Sequence, residues 1–242
     1  MSFSQKFRDW ASMARLPNVP TVWSNIFTAW VLAGGGFAYE WDLTRVIAAM
    51  IGGTLLYAGG TTLGDTVGAQ SDRIHRPERP IPAGRISSRI AHFVAAGLLG
   101  CGLAAFCFVG GYAAVLLLIC ILGYAYLHER SVHVGILLMG ACRVMLAETI
   151  GVMVTAHFNG TLLAMPGFCF WIMMLFLYVC VLSWLAMKES VPGRRRIVIG
   201  MLAALPLLDG TFLILMGFDK YALVVLGCFL LTLATRRIAS AT

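Results

Sequence analysis

Between residues 64 and 87 the chain reads GDTVGAQSDRIHRPERPIPAGRIS, a polar stretch in a sequence that is 60% hydrophobic. Asp65 and Asp72 stand seven residues apart, two helical turns, so a continuing helix places both carboxylates on one face. Two carboxylates aimed into one wet cavity suit Mg²⁺, which binds through one or two carboxylates together with substrate phosphate oxygens. Arg73, Arg76 and Arg79 follow, and guanidinium groups present forked donors that match phosphate. Pro77, Pro80 and Pro82 stiffen the segment that carries them. The residue types therefore fit the binding of a diphosphate. They fit equally a loop whose arginines fix membrane orientation and whose aspartates offset them.

The elements that must position these groups are membrane spans. Of 242 residues only 12% are charged, about half the usual share of a soluble domain. Apolar stretches of about 20 residues recur, each long enough to cross the hydrocarbon core as a helix. The alternation of a β-barrel strand is missing. The expected fold is an all-α polytopic transmembrane bundle, one integral membrane domain over 1–242. About eight spans are expected, at 19–39, 44–66, 88–109, 111–127, 133–156, 163–187, 196–217 and 220–235. Gly110-Gly111 and the AHFNG stretch mark turns. Polar loops are expected at 66–88 and 188–196.

The formal charge of +7 does not point to nucleic acid, because the basic residues sit in short loops between spans. With the N-terminus in the cytoplasm, fifteen Lys and Arg fall inside against Arg45 and Lys220 outside, with Arg143 in a span. That asymmetry orients the protein with both termini cytoplasmic. Residues 1–18 lack the cleavage site of a signal peptide. They are expected to form an amphipathic helix on the membrane surface or a solvated lead-in. The seven cysteines lie in apolar stretches at no metal-ligand spacing and read as small hydrophobes. The sequence HERSVH sets its histidines five apart, whereas zinc-protease chemistry needs them four apart.

The segment SDRIHRPERPIPAGRIS resembles the end of the first signature of the UbiA superfamily of intramembrane prenyltransferases, N-D-x-x-D-x-x-x-D-R-x-x-x-x-x-R-P-x-x-x-G. The matching positions are Asp65, Asp72, Arg73, Arg79, Pro80 and Gly84. RLPNVPTVWSNIFTAW, with Asn25, is similar to the family's opening, and YAYLHERSVHVGILLMGACR, with Arg143, to the segment leading into its fifth span. The overall match is nearest to the short EboC-type members. The resemblance implies a helical bundle around a central cavity open to the cytoplasmic side of a membrane, the inner membrane in a bacterium. It also implies acidic motifs that hold Mg²⁺ and the diphosphate of an isoprenoid donor. The function expected from it is transfer of an isoprenyl group from its diphosphate to a small acceptor. The other partner is the lipid bilayer.

The chain departs from that signature at two polar positions, where Gly64 replaces the leading Asn and Gly68 the middle Asp. The second acidic motif is reduced to Glu189, followed by Arg194, Arg195 and Arg196. Asp65, Asp72 and Glu189 are therefore the candidate metal ligands, enough for one Mg²⁺, with Asp65 and Asp72 the candidate catalytic pair. Asn25, Arg73, Arg76, Arg79, Arg130 and Arg143 are the candidate diphosphate ligands. Intramembrane charge is functional by default, which leaves Glu148 as a proton acceptor or a polar anchor. Asp209, behind Pro206, is expected to serve structure. The missing motif residues equally suit a degenerate relative that binds an isoprenoid or lipid as a pathway partner. A transporter is weaker, since no internal repeat is evident.

Overall fold

A computed structural model describes residues 3–34, 43–157, 165–187 and 193–241. Every regular element in these residues is helical: α1 (Phe3–Met13), a 3₁₀ turn (Leu16–Asn18), α2 (Val19–Leu32), α3 (Leu43–Val67), α4 (Ala69–His75), α5 (Ser88–Phe108), α6 (Ala114–Leu127), α7 (Val132–His157), α8 (Pro166–Ala186), α9 (Arg194–Leu215) and α10 (Asp219–Ala241). Helices α2, α3 and α5–α10 correspond to the eight expected apolar stretches. Five of them, α3, α5, α7, α8 and α9, are long and apolar enough to cross a membrane, and α6 is a shorter apolar helix. Leucine, isoleucine and phenylalanine side chains such as Phe93, Ile119, Leu177 and Leu223 stand exposed on the outer faces. An apolar surface of this extent needs lipid around it, and the chain is an integral membrane protein.

The bundle is organised around α2. Every residue of this helix except Trp23 is buried, its polar side chains included, among them Thr21, Ser24 and Asn25. Helices α3, α7, α9 and α10 pack against it. The partnership that fixes α3, and with it Asp65, is with α5. A Cβ added to Gly102 of α5 would come within 2.9 Å of the Gly52 carbonyl oxygen and the Leu56 amide nitrogen. The two backbones touch, which only a residue without a side chain permits.

At the polar end, α3 runs almost unbroken into α4. The Gly68 amide bonds to the Gly64 carbonyl and the Asp72 amide to the Gly68 carbonyl, both at 2.9 Å. The expected two-turn relationship between Asp65 and Asp72 therefore survives the nominal helix break. The following segment, 76–87, folds back as tight turns. Arg85 and Ile86 both bond to the carbonyl of Pro80, and Gly84 adopts φ +71°, where a side chain would be strained.

The N-terminal helix forms, and its inner face is used within the protein. Met13 and Trp10 pack with Ile81, Ile86 and Ala91 in a small core of their own. Asp9, 4% exposed, accepts hydrogen bonds from Arg85 Nε on both carboxylate oxygens at 3.1 Å. Arg85 also donates to the Glu78 carbonyl at 2.9 Å. Helix α1 thus clamps the arginine-bearing loop rather than leading loosely into the first span.

Candidate active site

Asp65 closes the last turn of α3 and Asp72 lies in α4, one face of an almost continuous helix. Both side chains point to one guanidinium. Arg79 Nη1 donates to Asp65 Oδ1 at 3.1 Å and to Asp72 Oδ2 at 2.7 Å. Each carboxylate is 13% exposed and Arg79 22%, so the trio is mostly covered by protein, at a mouth with one edge open to water. A Cβ added to Gly64, one residue before Asp65, would meet no atom within 4 Å. The space the signature's Asn side chain would fill is open.

A second cation reaches the pair from a place the sequence did not single out. Arg15 ends the connection between α1 and the 3₁₀ turn, and its Nη2 lies 3.4 Å from Asp65 Oδ1. It alone among the described non-glycine residues has positive φ, +48°, an uncommon conformation that turns the side chain toward α3. Its side chain is 43% exposed, and the Asp65 carboxylate beside it raises the pKa of its guanidinium above the ordinary value.

The other expected ligands divide into three sets. Asn25 and Arg143 come together, but inside the bundle. Arg143 donates to Asn25 Oδ1 at 2.7 Å, to Thr21 Oγ1 at 3.0 Å and to the Thr21 carbonyl at 3.2 Å. Asn25 Nδ2 in turn donates to Asp209 Oδ2 at 2.8 Å, which also accepts from Ser24 Oγ. The Trp171 indole donates to Asp209 Oδ1 at 3.0 Å. Asp209 is wholly buried and its charge is offset through Asn25 by Arg143, itself 8% exposed. Asp209, Asn25 and Arg143 thus belong to one buried hydrogen-bond network linking α2, α7 and α9. Arg143 also lies 5.8 Å from the centre of the Tyr57 ring. Tyr57 precedes Asp65 by eight residues on α3, about 12 Å along the axis, so this network lies deeper than the mouth.

Arg73 and Arg76 are exposed on and just after α4, and Arg130 is exposed in the turn between α6 and α7. Glu189, the third expected metal ligand, lies outside the described residues, as does Lys188. Among the aromatic residues of α8, Phe168 and Trp171 are packed in the core and Trp184 is 47% exposed on the outside.

The donor set bears on the metal directly. Among the described residues no three His, Cys, Asp or Glu side chains are gathered closely enough to hold an ion by themselves. Two convergent carboxylates beside open space suit one Mg²⁺ whose remaining ligands are phosphate oxygens and water. The residues present fit one such ion. A separate cavity of about 280 Å³ lies at the other end of α2, lined by Leu32, Gly34, Met165, Gly167, Phe168, Met216 and Phe218. It offers neither carboxylate nor guanidinium.

The chain is 34% identical over 90 residues to a digeranylgeranylglyceryl phosphate synthase of Metallosphaera sedula, covering 37% of this chain and 31% of that protein. It is 32% identical over 95 residues to one from Methanopyrus kandleri, covering 39% and 33%. The matched stretches thus span about a third of the length of these relatives. A solved structure described for digeranylgeranylglyceryl phosphate synthase in membranes shares the fold, with a TM-score of 0.59 at 18% identity, over 97% of this chain and 87% of that one. The model of the UbiA prenyltransferase family matches residues 18–240. A membrane bundle presenting two aspartates and their arginines at one mouth, matched over nearly its whole length, places this chain in the UbiA prenyltransferase family.

Proposed function

We propose that the protein is a membrane prenyltransferase that moves an isoprenyl group from its diphosphate to a small acceptor. The observation that carries this is the convergence of Asp65 and Asp72 on Arg79 beside the open space at Gly64. Asp65 and Asp72 would hold one Mg²⁺, with Glu189 a further candidate ligand, and the bound ion would supply positive charge against that gathering on the departing diphosphate. Arg79 and Arg15 then turn from the carboxylates to the diphosphate oxygens, and the exposed Arg73, Arg76 and Arg130 extend the cationic rim. Guanidinium groups fixed near the breaking C–O bond favour the transition state because their charge is already oriented. The apolar interior of the bundle keeps water from the prenyl cation until the acceptor attacks. Arg143 and Asn25 hold α2, α7 and α9 in register beneath the mouth, where Arg143 limits how far diphosphate descends. The arginine-rich ends face the cytoplasm, with both termini on that side.

Purified protein in liposomes, given prenyl diphosphates of graded length, is expected to release diphosphate in a Mg²⁺-dependent manner. Asp72→Ala should abolish release without reducing the amount of folded protein. Normal turnover by that variant contradicts the proposal. Gly64 and Gly68 favour a second function, binding of an isoprenoid without transfer. Tight binding of the donor with no diphosphate release in any metal would establish it.

A further inference from the structure

Position 68 lies on the same helix face as Asp65 and Asp72, three residues after one and four before the other. Any side chain there would stand between the two carboxylates. It is glycine, yet the space is not empty. A Cβ built on Gly68 would come 3.0 Å from Glu129 Oε1 and 3.9 Å from its Cδ. Glu129 belongs to the turn between α6 and α7, 61 residues further along the chain, and its carboxylate enters the volume that a residue at 68 would occupy. Among the described residues no cation is paired with it, whereas Asp65 and Asp72 share Arg79.

From this juxtaposition we infer that Glu129 supplies, from across the site, the middle carboxylate that Gly68 lacks, and is a third ligand for the divalent cation. The inference rests on the metal-assisted function proposed above. Without an ion, three carboxylates along one face repel, and Arg79 and Arg15 hold two of them. A divalent cation at the mouth gives the third a reason to close in. A glutamate on a turn has the reach and freedom to do so, because its three side-chain torsions are not fixed by packing. Gly68 leaves that carboxylate room, since an added Cβ would stand 3.0 Å from Glu129 Oε1 and push it aside.

The test is Mn²⁺ binding to the full-length protein in detergent, followed by electron paramagnetic resonance, with thermal stability recorded on the same samples. Glu129→Ala is expected to weaken Mn²⁺ binding about tenfold or more. Gly68→Asp in the Glu129→Ala background restores the carboxylate from the helix side and should recover most of the affinity. Glu129→Ala binding Mn²⁺ like the wild type, while Asp72→Ala does not, overturns the inference and leaves the proposed function intact. A double variant of wild-type stability that fails to recover affinity also overturns it. Mn²⁺ binding unchanged in Asp72→Ala as well removes both, because the ion is then held elsewhere.

Discussion

A single nitrogen of Arg79 lies 2.7 Å from Asp72 and 3.1 Å from Asp65, joining two carboxylates that are seven residues apart in sequence. The cation occupies the point toward which both carboxylates aim. On the proposed function, Mg²⁺ would take that point and the guanidinium would turn to phosphate, so the ion pair marks the proposed position of the ion.

Removal of either carboxylate should be far more harmful to activity than to folding. Each is partly solvated, so Asp65→Asn or Asp72→Asn leaves no buried charge stranded. Transfer from a labelled prenyl diphosphate is expected to fall by about 100-fold or more, with an unchanged elution profile in detergent. A fall of only a few-fold would mean that the pair serves topology rather than chemistry.

Arg143 and Asp209 behave in the opposite way. Both are buried and communicate through Asn25. Arg143→Met strands the Asp209 carboxylate and should lower stability by about 3–5 kcal/mol. The Arg143→Met/Asp209→Asn pair should recover part of that loss, since neither charge then remains unpaired. Thermal unfolding of the three variants in one detergent measures this. A double variant less stable than Arg143→Met would show that the two charges are not coupled.

The clamp between α1 and the arginine loop gives a separate expectation. Arg85→Ala leaves the buried Asp9 with only Gln5 as side-chain partner and should cost about 1–3 kcal/mol locally. Loop 76–87 then loosens. Glutamyl endopeptidase should cut after the exposed Glu78 several-fold faster, and the KM for prenyl diphosphate should rise because Arg79 is no longer held. Unchanged cleavage would mean that the loop turns, and not α1, set its shape.

The α3–α5 contact can be probed at Gly102. Gly102→Leu forces apart two backbones in direct contact and should cost at least about 1–3 kcal/mol, read as a lower thermal midpoint. Gly97→Leu, where an added Cβ meets nothing within 4 Å, is the matched control and should leave the midpoint unchanged.

The parts of this molecule legible in the sequence are those whose signal is local. A run of apolar residues reports its own span, and the seven-residue spacing of Asp65 and Asp72 reports a shared face because the helix barely breaks at Gly68. Arg79 was legible for the same reason, being tied to them by a short stiff loop. Arg15 was not: its approach to Asp65 depends on one left-handed residue and on the packing of α1 against Ile81 and Ile86. Glu129 meets Gly68 only once α6 lies beside α3. Asn25 is marked by the segment that resembles the family's opening, and Arg143 by its charge within a span. Their engagement with Asp209 requires α2, α7 and α9 to be assembled, so spacing along any one helix does not reveal it.

The most direct test of the central claim is a structure of the protein in lipid, bound to Mn²⁺ and a non-hydrolysable prenyl diphosphate. The expected result is a Mn²⁺ ion between Asp65 and Asp72, with the diphosphate on it and Arg79 moved from the carboxylates to the phosphate oxygens. A diphosphate bound elsewhere in the bundle, with Arg79 still bridging Asp65 and Asp72 and no ion between them, would contradict it.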